Sequence, residues 1–287
     1  MATGTALRTD SCGNIWSLLK KLDIRTPNQH SHKPRANVLG VGISAITMAE
    51  AIGETDDLLQ RDHKGYICVT GVHGVMEAQE DEEFRRILNE SFLTVPDGMP
   101  TVWVGRQQGF KMERVYGPDF MRDFCMHSVV QGYRHFLFGG NEGVAESLKL
   151  VLERKIPGLL VVGTYTPPFR PLNASELQDL RSMVERAHPD VMWIGLSTPK
   201  QERFMAEHLQ SLNVNVMIGV GAAFDIHTGR IKDAPQWIKN IGMQWLHRLT
   251  QERKRLWRRY LANNPKFIWM IVLQISRSWF RSLNAVR

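Results

Sequence analysis

The stretch VMWIGLSTPKQERFMAEHL, residues 191–209, contains a short apolar run, then a glycine-bearing turn, then a polar segment of helical composition. The four residues from Val191 to Ile194 suit a short buried strand, and the segment from Lys200 to Leu209 favours a helix. The same order recurs along the chain from Ala36 onward. Strands that alternate with helices in this way predict an α/β fold, with a Rossmann-like, mostly parallel sheet and helices on both faces.

Similar units define the other predicted elements. The predicted strands span residues 37–41, 66–70, 92–95, 135–138, 159–162, 191–194 and 214–218, and the predicted helices span residues 45–52, 83–90, 119–131, 144–154, 175–187 and 200–209. Residues 1–35 are expected to be a loosely ordered leader, residues 36–245 the α/β domain that carries the chemistry, and residues 246–287 a basic helical appendage. Pro265 should break that appendage into two helices, because proline lacks a backbone donor.

The composition is that of an ordinary globular protein, with 43% hydrophobic and 23% charged residues in a chain of 287. The three cysteines are widely spaced and form no metal-ligand pattern, which argues against a zinc site or a disulfide framework. The N-terminus lacks the pattern of a signal peptide. The most apolar run, Phe267 to Leu273, is far shorter than the roughly 20 residues that span a bilayer. We therefore expect a cytoplasmic protein with no membrane-crossing segment.

Positive charge is concentrated in the C-terminal part of the chain. The net charge is +7, and from Arg248 onward there are ten Lys or Arg residues against one acid, Glu252. Trp257, Trp269 and Trp279 are interleaved with these cations, as in segments that lie in a lipid interface. The pattern predicts an anionic partner, which could be a membrane surface, a diphosphate or a nucleic acid. A packed helix with a solvated basic face is the alternative.

Candidate catalytic residues follow two of the predicted strands. In sheets of this kind, ligands bind beyond the carboxyl ends of the strands. Asp97 lies in a turn between Pro96 and Gly98, and Thr70 and His73 follow the preceding strand. If the two loops are neighbours, an acid, a hydroxyl and an imidazole converge, and the aspartate could act as a general base. An aspartate in such a turn is also a common backbone cap.

Phosphate-binding candidates lie in three other places. Arg114 could clamp a phosphate or be a loop cation paired with a neighbouring acid. Lys200 begins a helix after a glycine-bearing loop, where anions are favoured, although a solvated first-turn lysine is equally compatible. The tail supplies further candidates in Arg255 and Arg258. No Asp-x-Asp pair is present to hold a divalent ion. If the ligand were a nucleotide that departs during a transfer reaction, these cations and backbone N–H groups would have to stabilise the negative charge on its phosphates.

The remaining candidates come from glycine loops that let a ligand approach the backbone. Gly219 and Gly221 follow a predicted strand and could admit a flat ring or a ribose. Asp225, at the end of the same segment, could bind hydroxyls or a uracil N–H, or be an ordinary turn aspartate. Asn141 lies in the glycine loop of residues 139–143 and is a further substrate-binding candidate.

Two other functional classes fit less well. Residues 40–45, GVGISA, imitate the dinucleotide-binding fingerprint, but the next predicted strand ends in Thr70 and Gly71 rather than in the acid that grips a ribose. A nicotinamide oxidoreductase is therefore disfavoured, and we expect no cofactor. A nucleic-acid binder would use the basic aromatic tail but would leave the strand-end glycine loops unexplained, so we expect no nucleic-acid partner.

Several spaced motifs, in one order, closely resemble the WecG/TagA/CpsF glycosyltransferases, known as glycosyltransferase family 26. They are VTGVHGVMEAQ at 69–79, PDGMPTVW at 96–103, ERVYGPDFM at 113–121, PPFR at 167–170, GLSTPKQE at 195–202, GVGAAFD at 219–225 and the segment 245–260. The resemblance implies inverting, metal-independent transfer from a UDP-sugar to a polyprenyl-diphosphate-linked sugar in surface polysaccharide synthesis. The sugar would be N-acetylmannosamine-like, a hexose or a uronic acid. The enzyme would work on the cytoplasmic face of the membrane, and a homo-oligomer is compatible with this.

The same resemblance implies roles for single residues. Asp97 matches the proposed base of the family, Thr70 and Gln201 its polar donor-pocket residues, Arg114 its diphosphate-side arginine, and Asp225 its uridine-side acid. The sequence departs from the family pattern in two places: His73 stands where many relatives have asparagine, and Gln244 where the tail motif often has glutamate.

Overall fold

A computed structural model of the chain describes residues 33–285, except for the side chains at positions 255, 259 and 278–285. The predicted leader, residues 1–35, lies almost entirely outside the described residues. The strands are β1 (Arg35–Val38), β2 (Val41–Ser44), β3 (Gly65–Thr70), β4 (Leu93–Pro96), β5 (Arg134–Gly139), β6 (Leu160–Tyr165), β7 (Val191–Gly195) and β8 (Val216–Gly219). The helices of the first two-thirds of the chain are α1 (Met48–Gln60), α2 (Val72–Glu80), α3 (Glu82–Glu90), α4 (Met99–Gln107), α5 (Gly117–Gln131), α6 (Val144–Lys155) and α7 (Ala174–Ala187). They are followed by α8 (Lys200–His208), α9 (Ala223–His227), α10 (Gln236–Asn240), α11 (Gln244–Gln251) and α12 (Arg253–Ala285).

Six strands form one parallel sheet, in the order β4-β3-β8-β7-β5-β6. Apart from the edge strand β6, the strands are largely buried on both faces, which is why they read as continuous apolar runs in the sequence. On β5, Phe136 and Phe138 face a core covered by α2, α3, α7 and α8, while Leu137 faces a core covered by α1, α5, α6 and α9. The predicted Rossmann-like α/β fold is confirmed.

The first predicted strand, residues 37–41, is wrong, because a turn lies in its middle. β1 and β2 pair antiparallel, outside the main sheet. Leu39 and Gly40, with φ of 53° and 84°, are the two left-handed residues of a tight hairpin turn. Gly40 and Gly42 therefore belong to a hairpin and not to a strand-to-helix phosphate loop, which removes the dinucleotide fingerprint.

Two helices that the sequence did not predict begin directly at strand ends. α2 starts after Gly71 at the end of β3, and α4 starts after Gly98, just beyond β4. Their first turns contain Gly74 and Pro100, which read as loop signals in the sequence. Proline is nevertheless tolerated in the first turn of a helix, where its missing N–H has no partner to lose. Both helix starts border the carboxyl edge of the sheet.

The predicted break at Pro265 is also wrong. α12 runs continuously through Pro265, and the chain is interrupted instead at Glu252, between α11 and α12. Phe267 and Ile271, two and six residues beyond the proline, are buried against the core that contains α2. This packing holds the helix together where proline removes a backbone hydrogen bond.

Three polar contacts further join α12 to the sheet domain. Gln274 accepts a hydrogen bond from Leu39 N (2.8 Å) and donates to Asn37 O (2.8 Å), so that its amide completes the hairpin turn. Lys266 pairs with Glu80 of α2 (2.6 Å). The third contact joins His73 of α2 to α12 and is described with the site. No helix within residues 33–285 is long and apolar enough to cross a membrane.

Candidate active site

A cavity of about 1520 Å³ lies at the carboxyl ends of the parallel strands, beneath α11 and α12. Nine of the predicted residues line it: Thr70, His73, Asp97, Arg114, Asn141, Lys200, Gln201, Gly221 and Asp225. Three others stand apart. Gly219 lies in β8 beneath the cavity, Arg258 lies over the ring of Trp257 (5.3 Å), and the side chain of Arg255 is outside the described residues.

Asp97 is held at the junction of β3, β4 and α5. Its backbone N–H donates to Thr70 O (3.1 Å), so the two predicted loops are indeed neighbours. Its Oδ1 accepts a hydrogen bond from Gly117 N (3.1 Å), at the start of α5, which is the backbone-capping contact foreseen as the alternative role. Oδ2 lies on the side of Gly71, where an added Cβ would be 3.8 Å away. One oxygen thus fixes the carboxylate, and the residue still lines the cavity.

The pKa of Asp97 is raised above its usual value. Burial is the main cause, and the Gly117 N–H and the charges of Arg114 and Arg248 oppose it only in part. A carboxylate with a raised pKa binds a proton more readily than an ordinary aspartate does. This suits a group that must take a proton from a substrate hydroxyl near neutral pH.

We expect the acid limb of the kcat/KM profile to report this group. Because the pKa of Asp97 is raised, activity should fall with an apparent pKa above about 4, the ordinary aspartate value. The measurement is kcat/KM between pH 4 and 8, with far-UV circular dichroism at each pH to show that the protein stays folded. An acid limb at or below pH 4 would contradict the assignment.

Thr70 and His73 occupy different surroundings, although both line the cavity. Thr70 is 2% exposed, and its Oγ1 has no hydrogen-bond partner in the structure. Buried hydroxyls are almost always satisfied, so this oxygen marks a place where a ligand could bind. His73 instead contacts α12, because its Nδ1 lies 3.3 Å from Asn263 Nδ2. The same nitrogen lies 3.5 Å from Oε1 of Glu77 on its own helix. The imidazole therefore joins α2 to the tail at the edge of the site.

Gln201 is fixed by a buried chain of hydrogen bonds. Its Oε1 accepts from Gly221 N (3.1 Å), and its Nε2 donates to Glu202 Oε1 (3.0 Å). The same Glu202 oxygen accepts from Thr198 Oγ1 (2.9 Å), and burial raises the pKa of Glu202. A Cβ on Gly219 would lie 3.0 Å from Gln201 Nε2, so this glycine makes room for the amide. Gly219 thus supports the pocket from below and does not face the cavity.

A cluster of cations surrounds Tyr116 beside Asp97. The Arg114 guanidinium lies 4.8 Å from the centre of the Tyr116 ring, and Lys239 Nζ lies 4.5 Å from it. Arg114 donates to Gln244 Oε1 of α11 (2.8 Å), whereas Lys239 is 5% exposed and pairs with Asp233. Tyr116 also donates to Asp233 Oδ1 (3.0 Å). Gln244, at a position where the sequence departs from the family pattern, thus ties α11 to Arg114.

Arg248 of α11 adds a third positive charge to this side of the cavity. Its Nη2 donates to Glu252 Oε2 (3.0 Å), while its buried Nε has no partner in the structure. An unsatisfied guanidinium N–H in a cavity that also contains Arg114 and Lys239 favours an anionic ligand. From the sequence, Arg248 was predicted only as part of the basic tail, and neither Lys239 nor Tyr116 was predicted to belong to the site. Tyr116 lies inside the motif at 113–121, and its place in that motif could have marked it as a site residue.

The other predicted residues line the cavity from loops and helix starts. Lys200 is exposed at the N-terminus of α8, where its charge adds to that of the helix dipole. Asn141 is exposed after β5, and Asp225 is partly buried in α9. Within residues 33–285, no group of three or more His, Cys, Asp or Glu side chains is placed to hold a metal ion. Metal independence stays a prediction.

Comparison with known families identifies this arrangement. The model of the WecG/TagA/CpsF glycosyl transferase family matches residues 36–281, which is most of the chain and includes every segment that lines the cavity. The chain belongs to the WecG/TagA/CpsF glycosyltransferase family. Membership confirms the predicted family and the predicted enzyme class, a UDP-sugar-dependent glycosyltransferase. The α11–α12 tail lies within the matched region up to residue 281.

Two curated members of the family are similar to the chain. A protein of Bacillus spizizenii W23 is 25% identical over 213 residues, covering 73% of this chain and 80% of the relative. A protein of Bacillus subtilis 168 is 26% identical over 194 residues, covering 66% of this chain and 72% of the relative. Each of these relatives is named N-acetylglucosaminyldiphosphoundecaprenol N-acetyl-β-D-mannosaminyltransferase.

Proposed function

We propose that the chain moves a sugar from a UDP-sugar to a polyprenyl-diphosphate-linked acceptor in surface polysaccharide synthesis, with inversion and without a metal ion. The observation that carries the proposal is the cavity at the strand ends, which is lined by Asp97 and by Thr70, whose buried hydroxyl has no partner in the structure, together with Arg114, Lys239 and Arg248. The names of the two Bacillus relatives support N-acetylmannosamine as the sugar, ahead of a hexose or a uronic acid. They also support an N-acetylglucosamine-bearing lipid as the acceptor.

Asp97 is the base in this scheme. Its carboxylate takes the proton of the acceptor hydroxyl while that oxygen attacks the anomeric carbon from the side opposite UDP, so the configuration inverts. The Gly117 N–H holds Oδ1 and thereby orients the group during transfer. The bond from the anomeric carbon to the UDP oxygen breaks as the new glycosidic bond forms. The departing UDP carries the electron pair and the developing negative charge.

Fixed positive charge stabilises that leaving group in place of a divalent ion. Arg114, Arg248 and Lys200 supply cations, and the N-terminus of α8 supplies oriented N–H groups. Gln201 and Asp225 are proposed to bind the donor, following the roles implied by the family motifs. The proposed function needs no cofactor and no nucleic acid.

Activity should therefore survive metal removal. The rate of sugar transfer in excess EDTA is expected to equal the rate in magnesium or manganese. The reason is that side chains and backbone N–H groups stabilise the negative charge of the diphosphate. A metal-dependent transferase with an Asp-x-Asp pair, assayed in parallel, is the control for effective chelation. Rescue of a chelated, inactive enzyme by magnesium or manganese would contradict the prediction.

The donor is testable with a panel of UDP-sugars. We expect UDP-N-acetylmannosamine, given with an N-acetylglucosaminyl-diphosphoprenol acceptor, to yield a β-linked disaccharide lipid, detected by mass spectrometry and by the one-bond C1–H1 coupling at the new anomeric carbon. UDP-hexoses and UDP-uronic acids serve as the competing donors. If no UDP-sugar on the panel is transferred to any diphosphoprenol acceptor, the proposed function is wrong.

The location is proposed to be peripheral, on the cytoplasmic face of the membrane. α12 exposes Trp257, Leu261 and Trp269, with Arg258 and Arg277 also exposed on the same helix. Exposed aromatic and basic side chains on one helix are typical of segments that bind anionic lipid surfaces. Assembly into a homo-oligomer stays a prediction.

A further inference from the structure

Part of the cavity wall is apolar and offers no side-chain hydrogen-bonding group to a nucleotide sugar. The cavity volume of about 1520 Å³ exceeds the roughly 300–1,000 Å³ of ordinary small-molecule pockets. We call its apolar part the apolar branch, and define it by six side chains: Leu172, Leu177, Phe204, Phe267, Ile271 and Val272. They come from α7, α8, α12 and the loop that follows β6.

The wall formed by α7 and α8 is supported by stacked aromatic rings. The Phe204 ring stacks on Phe138 of β5 at 4.4 Å between centroids, and Phe138 stacks in turn on Tyr165 of β6 at 5.7 Å. Leu172 and Leu177 pack against the same core but remain partly exposed. Partly exposed apolar side chains on a fixed aromatic layer form a surface ready to bind hydrocarbon.

The wall formed by α12 leads from the interior to the outside. Four side chains of α12 line the cavity here. Phe267 and Ile271 are buried, whereas Ile268 and Val272 are 63% and 54% exposed. The exposed Trp269 continues the apolar surface on the same helix. The apolar branch therefore opens onto the helix proposed to lie on the membrane.

We propose that the apolar branch binds the first isoprenoid units of the acceptor's polyprenyl chain. The inference rests on the proposed function. A lipid-linked sugar diphosphate has a sugar, then two phosphates, then hydrocarbon, and the cavity offers a matching order. Asp97 lies at the ends of β3 and β4 with the cations Arg114 and Arg248 nearby, whereas Phe204 of the apolar branch stacks on β5, four strands away from β4, and Val272 is exposed on α12. A UDP-sugar has no apolar group of that size, so the acceptor is the substrate that this wall fits.

The test compares two acceptors that share one headgroup. N-acetylglucosaminyl diphosphate is attached either to a long polyprenol or to a short alkyl chain, and both are assayed in detergent micelles, where binding to a bilayer plays no part. The variants are Leu177→Ser and Val272→Ser, one from each wall. Leu150→Ser, on the exposed face of α6, is the matched control.

We expect each wall variant to raise KM for the polyprenyl acceptor by roughly tenfold or more, as loss of a buried aliphatic contact does. KM for the short-chain acceptor, KM for the donor and kcat should stay unchanged, and Leu150→Ser should change nothing. Equal effects on both acceptors, or none on either, would overturn the inference while the proposed function stands. Transfer by the unaltered enzyme to neither acceptor would instead remove the proposed function.

Discussion

Asp97→Asn is expected to lower turnover by roughly 10² to 10⁴-fold, with little change in UDP affinity. Asparagine keeps the shape of the side chain, and its carbonyl oxygen can still accept the hydrogen bond from Gly117 N. It cannot take the proton of the acceptor hydroxyl. Turnover is measured with saturating donor and acceptor, and UDP affinity by titration calorimetry.

A stability measurement separates this loss from misfolding. The pKa of Asp97 is raised in the folded protein, so ionising it costs folding free energy, and that cost appears as the pH rises through the unfolded and then the folded pKa. Near pH 7 the uncharged asparagine should therefore leave the melting temperature unchanged or higher. Asp57→Asn, at an exposed position on α1, is the matched control. Near-normal turnover in Asp97→Asn would remove Asp97 from the mechanism and make His73 the next candidate.

Removal of residues 246–287 is expected to abolish both transfer and sedimentation with anionic liposomes. The truncation takes away Arg248 and the whole of α12, including the exposed aromatic and basic side chains. No strand of the six-stranded sheet lies in the tail, so the sheet should still form even though the truncation exposes the core face that Phe267 and Ile271 cover. Circular dichroism checks the fold, and liposome sedimentation and product formation check the two losses.

A point variant separates the catalytic role of the tail from its membrane-binding role. Arg248→Ala leaves α12 and its exposed face in place, so it should bind liposomes normally. Its transfer rate should fall by about 10² to 10³-fold, as happens when one donor to a developing negative charge is removed. If the truncated enzyme stays on anionic liposomes and transfers sugar at full rate, the tail has neither role.

The parallel sheet was predictable because its strands, apart from the edge strand β6, are largely buried on both faces and therefore read as apolar runs. The hairpin was not, since residues 37–41 form an apolar stretch whose turn depends on left-handed backbone at Leu39, a residue that rarely adopts it. α2 and α4 were missed because the glycine and proline in their first turns are loop signals. The continuous α12 depends on the burial of Phe267 and Ile271, which no local rule around Pro265 contains.

Some residues of the candidate site could also be predicted from the sequence, and others could not. The strand-end rule was enough to bring Asp97 and Thr70 together, because neighbouring parallel strands end at the same edge. Lys239 and Arg248 reach the cavity from segments more than 130 residues further along the chain, and their approach depends on tertiary packing. Gly219 was expected to face a ligand, whereas it makes room for the Gln201 amide.

The hydrogen bond from Leu39 N to Gln274 joins residues that are 235 positions apart in the chain. During synthesis the hairpin, the sheet and the strand-end loops leave the ribosome before α11 and α12 do. A growing chain therefore contains Asp97 and Thr70 long before it contains Arg248 or the second wall of the apolar branch. We expect sugar transfer to begin only when α12 docks, so that a chain from which α12 has not yet emerged does not consume donor.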